Sequence, residues 1–239
     1  LGEQPDLVLA ITTPSSQAVA KKITDIPIVF TGVTDPVAAG LVDSLMQPGG
    51  NVTGMTDMSP VDRQVDLIRE FLPEAKTIGV IYNAGEPNSV VLVDILKKVC
   101  AERGLGVEEA TIANSSGVYQ SAKSLVGRCD AIYVPVDNTV VSALESAVKV
   151  CTENRLPLFT GDTDSVKRGS VAALALDYYR MGLQTADMAM RILLNGDKPA
   201  DMPVESLENL QLFVNAASAE AMGVAVPQAV LERADEVIR

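Results

Sequence analysis

One short sequence motif occurs twice in the chain. Residues 27–37 read PIVFTGVTDPV and residues 157–166 read PLFTGDTDSV. In both places an apolar run typical of a buried strand passes into Thr-Gly and then Thr-Asp, after an earlier strand, a polar loop and a helix. The same β-α-β unit is therefore used twice. This repetition predicts two lobes of like topology.

Strands and helices alternate along the rest of the sequence. The strands are apolar through their length, which is typical of a parallel sheet covered on both faces, so we predict an α/β protein with two doubly wound lobes. In such sheets ligands bind beyond the carboxyl ends of the strands, which predicts a binding cleft between the lobes. The predicted strands are 6–12, 26–32, 51–57, 77–83, 107–112, 130–137, 156–162 and 171–177, and the predicted helices are 17–23, 61–72, 88–104, 116–126 and 140–154.

The composition excludes several classes of protein. Nineteen Lys and Arg stand against 31 Asp and Glu, and the resulting net charge of −12 repels nucleic-acid backbones. No apolar run approaches the ~20 residues of a membrane span. The sequence has no histidine, which excludes histidine-dependent catalytic triads and the commonest zinc sites. We predict no metal and no cofactor, and we expect any signal peptide to have been removed or to lie outside this sequence.

Three cysteines, Cys100, Cys129 and Cys151, contain no Cys-x-x-Cys pair. Cys100 and Cys151 share stripes with apolar residues at helical spacing, so we interpret them as small core thiols, with a disulfide or a nucleophile as the alternative.

Polar side chains follow the predicted strands at the points where those strands end. We predict that they form a binding site at the carboxyl edges of the sheets. The candidate residues are Thr13, Ser15, Thr34, Asp35, Tyr82, Asn83, Asn88, Ser89, Asp137, Asn138, Asp162 and Asp177.

The chemistry of these residues suits a zwitterion. Ser15 and Ser89 each lie where a predicted helix begins, and free N–H groups there could hold a carboxylate. Asp35, Asp137 or Asp162 could pair with an ammonium group. The alternative at every position is an ordinary helix cap or turn. Tyr82 and Tyr178 are the best-placed aromatic side chains, and Asp177 is either a helix N-cap or a contact near the junction of the lobes.

At these residues the chain also resembles a known family. The blocks ITTPSSQA, IPIVFTGVTDPVAAGLV, PGGNVTGMTD, IGVIYNAGEPNS, AIYVPVDNTVVSALE, PLFTGDTDSVKRG and ALDYYRMGLQTADMA closely resemble the ABC-transporter substrate-binding proteins related to tryptophan-binding lipoproteins. The resemblance runs over nearly the whole chain.

This resemblance implies a type I periplasmic binding fold that traps its ligand by hinge closure. The first lobe would be residues 1–57 and 174–201, and the second 61–172 and 203–239. The implied function is the extracytoplasmic capture of a small amino acid-like solute, with aromatic amino acids as ligands of relatives, and its delivery to an ABC permease. The protein would lie in the periplasm or at the cell surface, with a lipid anchor as one form of attachment.

The sequence departs from the family pattern at one place. Members of the family begin with about two further βα units, of roughly 30 residues each, before the segment that matches DLVLAI. The first lobe is therefore expected to be incomplete at its N-terminal side. If the molecule lacks those units, a sheet edge is exposed and dimerisation is favoured; if only the numbering omits them, function is untouched.

Other functions fit the residues less well. No GxGxxG motif follows a strand, and neither GxxxxGK[ST] nor GxSxG occurs. A two-lobed amino-acid racemase would need a thiol from each lobe, whereas all three cysteines fall in the second. The ligand-sensing domain of a regulator or receptor shares the fold and stays as the alternative function.

Overall fold

The chain forms two compact units, each built from two separate stretches of sequence. Unit 1 consists of Leu1–Met58 and Leu176–Asn209, and unit 2 of Ser59–Ala175 and Leu210–Arg239. The structure, a computed structural model, describes residues 5–239. The first four residues of the predicted first lobe thus lie outside the described part.

Unit 1 contains one parallel sheet. Its described residues form four strands in the order β1-β2-β3-β9, and each neighbouring pair is parallel. The elements of unit 1 are β1 (Val8–Ile11), α1 (Thr13–Ala20), β2 (Ile28–Val33), β3 (Val52–Thr56), α8 (Tyr178–Met190) and β9 (Glu205–Ser206). A small apolar core that includes Ile28, Phe30 and Val52 lies within this unit.

Unit 2 contains a sheet of seven strands among the described residues, in the order β11-β10-β8-β7-β6-β4-β5. Its larger core is built from apolar strand residues and the helices that cover them. The elements are β4 (Thr77–Asn83), β5 (Gly106–Ile112), β6 (Ala131–Val134), β7 (Leu158–Thr160), β8 (Ala172–Leu176), β10 (Leu210–Asn215), β11 (Glu236–Ile238), α2 (Val61–Phe71), α3 (Pro87–Glu102), α4 (Val118–Leu125), α5 (Asn138–Val141), α6 (Leu144–Asn154), α7 (Asp164–Lys167), α9 (Ala216–Ala221) and α10 (Gln228–Arg233).

Most of the predicted strands and helices are present, but several ends differ. Helix α1 begins at Thr13 and not at residue 17, because Pro14 is suited to the first turn of a helix and does not end one. Helix α3 begins at Pro87 with Glu86 as its N-cap, so Asn88 lies inside the first turn. The helix predicted over 140–154 is two helices, α5 and α6, with Asp137 capping the first.

The chain passes from unit 1 to unit 2 twice, and the second passage, at 209/210, lies later than predicted. Strand β9 pairs with β3, through Met55 opposite Glu205 and Thr56 opposite Ser206. Residues 203–209 therefore belong to unit 1, whereas the sequence prediction assigned them to the second lobe. The other unit boundaries, at 58/59 and 175/176, fall within three residues of the predicted positions.

The three cysteines are free thiols. Cys100 and Cys151 are buried and Cys129 is half-buried. Burial raises the pKa of Cys100 and Cys129 to about 11 and that of Cys151 to about 12, so these thiols stay protonated at neutral pH. This state fits the interpretation as core thiols. Within residues 5–239, no helix combines the length and the apolar character that crossing a membrane requires.

Candidate ligand-binding site

Three strands of unit 1 end at the same edge of its sheet. Because β1, β2 and β3 are parallel, the residues that follow them lie along one edge: Thr12 and Thr13 after β1, Thr34 after β2, and Asp57 after β3. This is the edge at which parallel sheets bind ligands. The candidate site in unit 1 is built here.

Asp57 is the buried carboxylate of this edge. It is 5% exposed, and its two oxygens accept hydrogen bonds from the hydroxyl groups of Thr34 (3.0 Å) and Tyr178 (2.8 Å). Burial raises the pKa of Asp57, and the hydrogen bonds from Tyr178 and Thr34 oppose that rise. No Lys or Arg among the described residues forms an ion pair with it. Asp57 is thus a buried acid held by neutral donors alone.

Tyr178 contacts the site from helix α8. Its hydroxyl group is anchored on Asp57, yet the residue keeps 38% of its surface exposed. Gly32, at φ +64°, brings the backbone of β2 close to both residues: a Cβ at this position would lie 3.7 Å from Asp57 Oδ2 and 3.9 Å from Tyr178 Cε1. The tyrosine ring therefore lies beside the carboxylate with part of its surface open.

The first turn of α1 offers a second polar group at the same edge. Thr12, the N-cap, has the positive φ of 74° that is uncommon outside glycine. Thr13 is 2% exposed, and its hydroxyl oxygen has no hydrogen-bond partner within the described part of the chain. Ser15 is exposed and accepts a long hydrogen bond of 3.5 Å from Thr12. Of the two predicted residues here, Thr13 is the buried, unsatisfied one.

Asp35 serves a turn. Its Oδ1 accepts hydrogen bonds from the backbone N–H groups of Val37 (3.1 Å) and Ala38 (2.9 Å). The structure thus supports the alternative interpretation of Asp35, in which a short acidic side chain closes a loop.

Unit 2 gathers its own polar residues where β4 and β6 end. Asp137 is fully buried and accepts three hydrogen bonds, from the N–H of Asn83 (2.6 Å), the hydroxyl of Ser89 (2.7 Å) and the N–H of Val140 (2.7 Å). Burial raises the pKa of Asp137, against the effect of these bonds. The carboxylate ties the end of β4 and the first turn of α3 to the start of α5.

Glu86 is a second buried acid in this cluster. Its carboxylate accepts hydrogen bonds from the backbone N–H groups of Asn138 (3.1 Å) and Thr139 (2.9 Å) and from both of their side chains. Burial raises the pKa of Glu86, but the bonds from Thr139 and Asn138 outweigh burial and hold the pKa below its ordinary value. Asn138, a predicted ligand contact, is therefore engaged with Glu86.

Ser89 and Asn88 lie in the first turn of α3. The Ser89 hydroxyl donates to Asp137, and with two carboxylates nearby this helix start is a poor place for a ligand carboxylate. Asn88 is 4% exposed and donates to Val136 O (2.9 Å), while its Oδ1 has no partner among the described residues. Asn83 is satisfied by Thr139 and Gly85. In this group, Asn88 alone has a buried polar atom to offer.

Tyr82 is not at the strand edge. Its side chain lies in the core of unit 2, with its hydroxyl donating to Glu109 on β5 (2.7 Å). Burial and then the bond to Glu109 raise the pKa of Tyr82 to about 12. Tyr82 lies inside β4, which matches the predicted strand 77–83, and its hydroxyl bonds to the neighbouring strand, so it is not among the groups beyond the strand end.

The two remaining predicted acids accept hydrogen bonds from residues in the first turn of a helix. Asp162 accepts bonds from the N–H (2.8 Å) and hydroxyl (2.6 Å) of Ser165, and burial raises its pKa. Asp177 is the N-cap of α8, accepting the N–H of Arg180 at 3.1 Å and lying 3.5 Å from its guanidinium. The N-cap, one of the two roles predicted for Asp177, is therefore present.

Sequence reasoning missed the two acids that matter most to this geometry. Asp57 was not among the candidates, although it is the last residue of predicted strand 51–57 and lies just after β3 in the structure. Glu86 was not among the candidates, because an acidic residue in a Gly-Glu-Pro loop does not by itself indicate a functional site. Within residues 5–239 no group of three or more Cys, Asp or Glu residues is arranged to hold a metal ion.

Comparison with known proteins gives this geometry a context. A tyrosine-binding protein of Clostridioides difficile (strain R20291) is 40% identical over 222 residues, which are 93% of this chain and 64% of that protein. The chain thus spans less than two thirds of that curated relative.

Two solved structures are close to the chain. A conserved domain protein of Vibrio cholerae is 44% identical, with a TM-score of 0.96 over 99% of this chain and 79% of the other. A pneumococcal ABC domain, solved in complex with L-Trp, is 34% identical, with a TM-score of 0.94 over 99% and 82%.

The fold and the family agree with the sequence prediction. Two units of parallel sheet, and the likeness to substrate-binding and periplasmic binding proteins, confirm the type I periplasmic binding fold. Residues 1–238 match the family described as ABC transporter substrate binding protein. The chain therefore belongs to the ABC transporter substrate-binding protein family.

Proposed function

We propose that this protein binds a free aromatic L-amino acid and that Asp57 holds the ammonium group of that solute. The observation that carries the proposal is a buried carboxylate, at the ligand-binding edge of a parallel sheet, that has no cationic partner among residues 5–239. Burying an unpaired charge is costly, and such groups cluster at functional sites. A ligand ammonium would supply the missing positive charge.

The start of α1 would hold the carboxylate of the same solute. The unsatisfied hydroxyl of Thr13 and the N–H groups of the first helical turn are suitable donors for an anion. Strands β1 and β3 flank β2, so the two sites are separated by two strand spacings, or ~10 Å. An α-amino acid with one hydrogen bond at each end is of this size.

Tyr178 would contribute the preference for an aromatic side chain. Its ring is fixed by the hydroxyl bond to Asp57 and remains partly exposed beside Gly32. A fixed ring edge next to the ammonium site can pack against an aromatic solute. The similar proteins point the same way, since one is named for tyrosine binding and another was solved with L-Trp.

The wider role follows the family. We propose that the protein is the extracytoplasmic solute-binding component of an ABC importer, that hinge closure between the units encloses the solute, and that an ABC permease receives it. The relatives are binding proteins, which favours binding without catalysis. No feature of the described residues favours a sensor domain over this role.

Isothermal titration calorimetry tests the proposal. We expect the protein to bind L-Tyr or L-Trp, to bind tyramine more weakly because its carboxylate is absent, and to bind 3-(4-hydroxyphenyl)propionate very weakly because its ammonium is absent. Asp57→Asn should weaken amino-acid binding by well over tenfold, since truncating a desolvated charge partner costs ~2 to 5 kcal/mol.

Asp162→Asn is the matched control, because burial also raises the pKa of Asp162, but its carboxylate is bonded to Ser165 in the first turn of α7. It should leave the affinity within about twofold of the wild-type value. An Asp57→Asn protein that binds as tightly as wild type would overturn the assignment of the ammonium site. A folded wild-type protein that binds neither amino acid would overturn the proposed solute class.

A further inference from the structure

The chain passes between its two units three times, at 58/59, 175/176 and 209/210. In unit 1 a side-chain hydrogen bond joins the first two of these connections. Asp57 lies just before the first connection, and it accepts a bond of 2.8 Å from the hydroxyl group of Tyr178, which lies just after the second. Both connections are therefore held together at the point where they leave unit 1.

Gln64 forms the corresponding bond in unit 2. It lies in the first turn of α2, the helix that follows the first connection, and it is 3% exposed. Its Nε2 donates to the backbone oxygen of Leu174 (2.8 Å), which lies just before the second connection. The same two connections are thus held together where they enter unit 2.

Tyr133 fixes the orientation of Gln64. Its hydroxyl group, on β6, donates to Gln64 Oε1 at 2.5 Å, so both polar atoms of the Gln64 amide are hydrogen-bonded. Tyr133 is 1% exposed. A buried polar chain whose members are all satisfied favours one arrangement, because turning the amide would leave donors and acceptors unpaired. The chain Tyr133–Gln64–Leu174 is therefore a rigid support on the unit 2 side.

The third connection is held by strand pairing and not by side chains. On the unit 1 side, Ser206 of β9 lies opposite Thr56 of β3, directly before the first connection. On the unit 2 side, β10 begins at Leu210 and is the neighbour of β8, which leads into the second connection. Every connection is thus joined to another one in each unit.

We propose that these bonds confine the bending between the units to 58–60, 175–177 and 207–209, and that Gln64 is the positioning residue of this hinge. The inference rests on the proposed function, in which closure of the units encloses the solute. Helix α2 begins at Val61, which ends the first segment. A hinge of this kind absorbs the backbone change in a few residues at the ends of secondary-structure elements.

The bond between Asp57 and Tyr178 gives this hinge its link to the solute. A solute ammonium group on Asp57 would bind one residue from the first segment, at a carboxylate that also contacts the second connection. Without the Gln64 bond, the second connection could bend over a longer stretch, and the closed arrangement would be less well defined. The solute should then dissociate faster, while its association should change little because Asp57 and Tyr178 are intact.

Hydrogen–deuterium exchange on the ligand-free 239-residue chain tests the hinge without any solute. Gln64→Met keeps the size of the side chain and removes both bonds, so we expect exchange in 61–66 and 172–174 to accelerate about tenfold. Tyr133→Phe removes only the supporting bond and should accelerate exchange about threefold. Because the two residues act in one chain, the double variant should behave like Gln64→Met alone.

Thr53→Val is the matched control. The Thr53 hydroxyl also donates a buried bond of 2.8 Å to a distant backbone oxygen, that of Met202, but both residues lie within unit 1 and the bond joins no connection on the unit 2 side. Stopped-flow measurement of L-Trp dissociation supplies the second readout. We expect dissociation to be about tenfold faster for Gln64→Met and within about twofold of wild type for Thr53→Val.

Circular dichroism first establishes that each variant is folded. Faster exchange and faster dissociation in Gln64→Met, with neither in Thr53→Val, support the inference. Unchanged exchange in both Gln64→Met and Tyr133→Phe would overturn the hinge assignment, and faster exchange with unchanged dissociation would reduce Gln64 to a structural contact and overturn its positioning role. A wild-type chain that binds neither L-Trp nor L-Tyr would overturn the proposed solute class, and the exchange result alone would then decide the hinge.

Discussion

Asp57 in unit 1 and Asp137 in unit 2 are both buried acids that follow parallel strands, yet their surroundings differ. Asp137 accepts three hydrogen bonds, two of them from backbone N–H groups. The side-chain donors to Asp57 are the hydroxyl groups of Thr34 and Tyr178. Burial raises the pKa of both acids. The kind of donor, and not burial, distinguishes them.

This difference separates an architectural acid from an acid that can bind a ligand. The bonds to Asp137 hold two loops and a helix start together, so its lone pairs are already used for folding. The hydroxyl groups around Asp57 can rotate, and its carboxylate oxygens have lone pairs for a further donor. A buried polar group that is only partly satisfied by its own chain is where an external partner gains most.

The largest effect is expected from Asp137→Ala. This change leaves the N–H groups of Asn83 and Val140 and the hydroxyl of Ser89 without their acceptor, and each unsatisfied buried donor costs ~1 to 3 kcal/mol. We expect the free energy of unfolding of unit 2 to fall by about 3 kcal/mol or more, measured by urea denaturation. A loss below ~1 kcal/mol would show that Asp137 is not architectural.

A smaller effect is expected from pH, through Asp57. The ammonium of the solute pairs with the ionised carboxylate, so affinity should be full above the raised pKa of Asp57 and should be lost as pH falls through it. The same raised pKa stabilises the ligand-free protein below the unfolded pKa, and that contribution is lost as pH rises through the folded pKa. The two properties should therefore change in opposite directions.

Titration calorimetry between pH 4 and pH 8 measures the first property. Tyr178→Phe removes a bond that lowers the pKa of Asp57, so it should move the midpoint of the affinity profile upward. Asp57→Asn should bind weakly at every pH. A wild-type profile that coincides with the Asp57→Asn profile would exclude Asp57 as the titrating group.

The smallest effect is expected from Asp35→Ala. Asp35 closes a turn through the N–H groups of Val37 and Ala38, and a local cap of this kind contributes ~0.5 to 2 kcal/mol. We expect a modest decrease in melting temperature and an unchanged affinity for the solute. A tenfold loss of affinity at unchanged stability would return Asp35 to the binding site.

The sequence predicted the fold better than it predicted the site. Strand 77–83 matches β4 residue for residue, because an apolar run between loop residues has few alternatives in a parallel sheet. The repeated Thr-Gly and Thr-Asp phrase marks two similar strand ends, and an aspartate near each one accepts backbone N–H groups, Asp35 at the first and Asp162 at the second. The two acids are not at equivalent positions of the repeat, in which Asp35 corresponds to Asp164.

The site depends on contacts between residues far apart in the chain. The hydrogen bond from the Tyr178 hydroxyl to Asp57 joins residues 121 positions apart, and no local sequence pattern predicts it. Tyr82 and Ser89 were placed from their positions in the sequence, but their partners, Glu109 and Asp137, come from other strands and loops. The order of the strands in each sheet decides which polar groups form hydrogen bonds with one another.

The interrupted sequence of unit 1 has a consequence for folding during synthesis. Residues 59–175, the main part of unit 2, leave the ribosome before α8 and β9 exist, so the two stretches of unit 1 are joined late. Tyr178 belongs to the later stretch, and it completes the hydrogen bonding of Asp57. A chain that ends before α8 should therefore be unable to complete the proposed site, even though its first 58 residues contain Asp57.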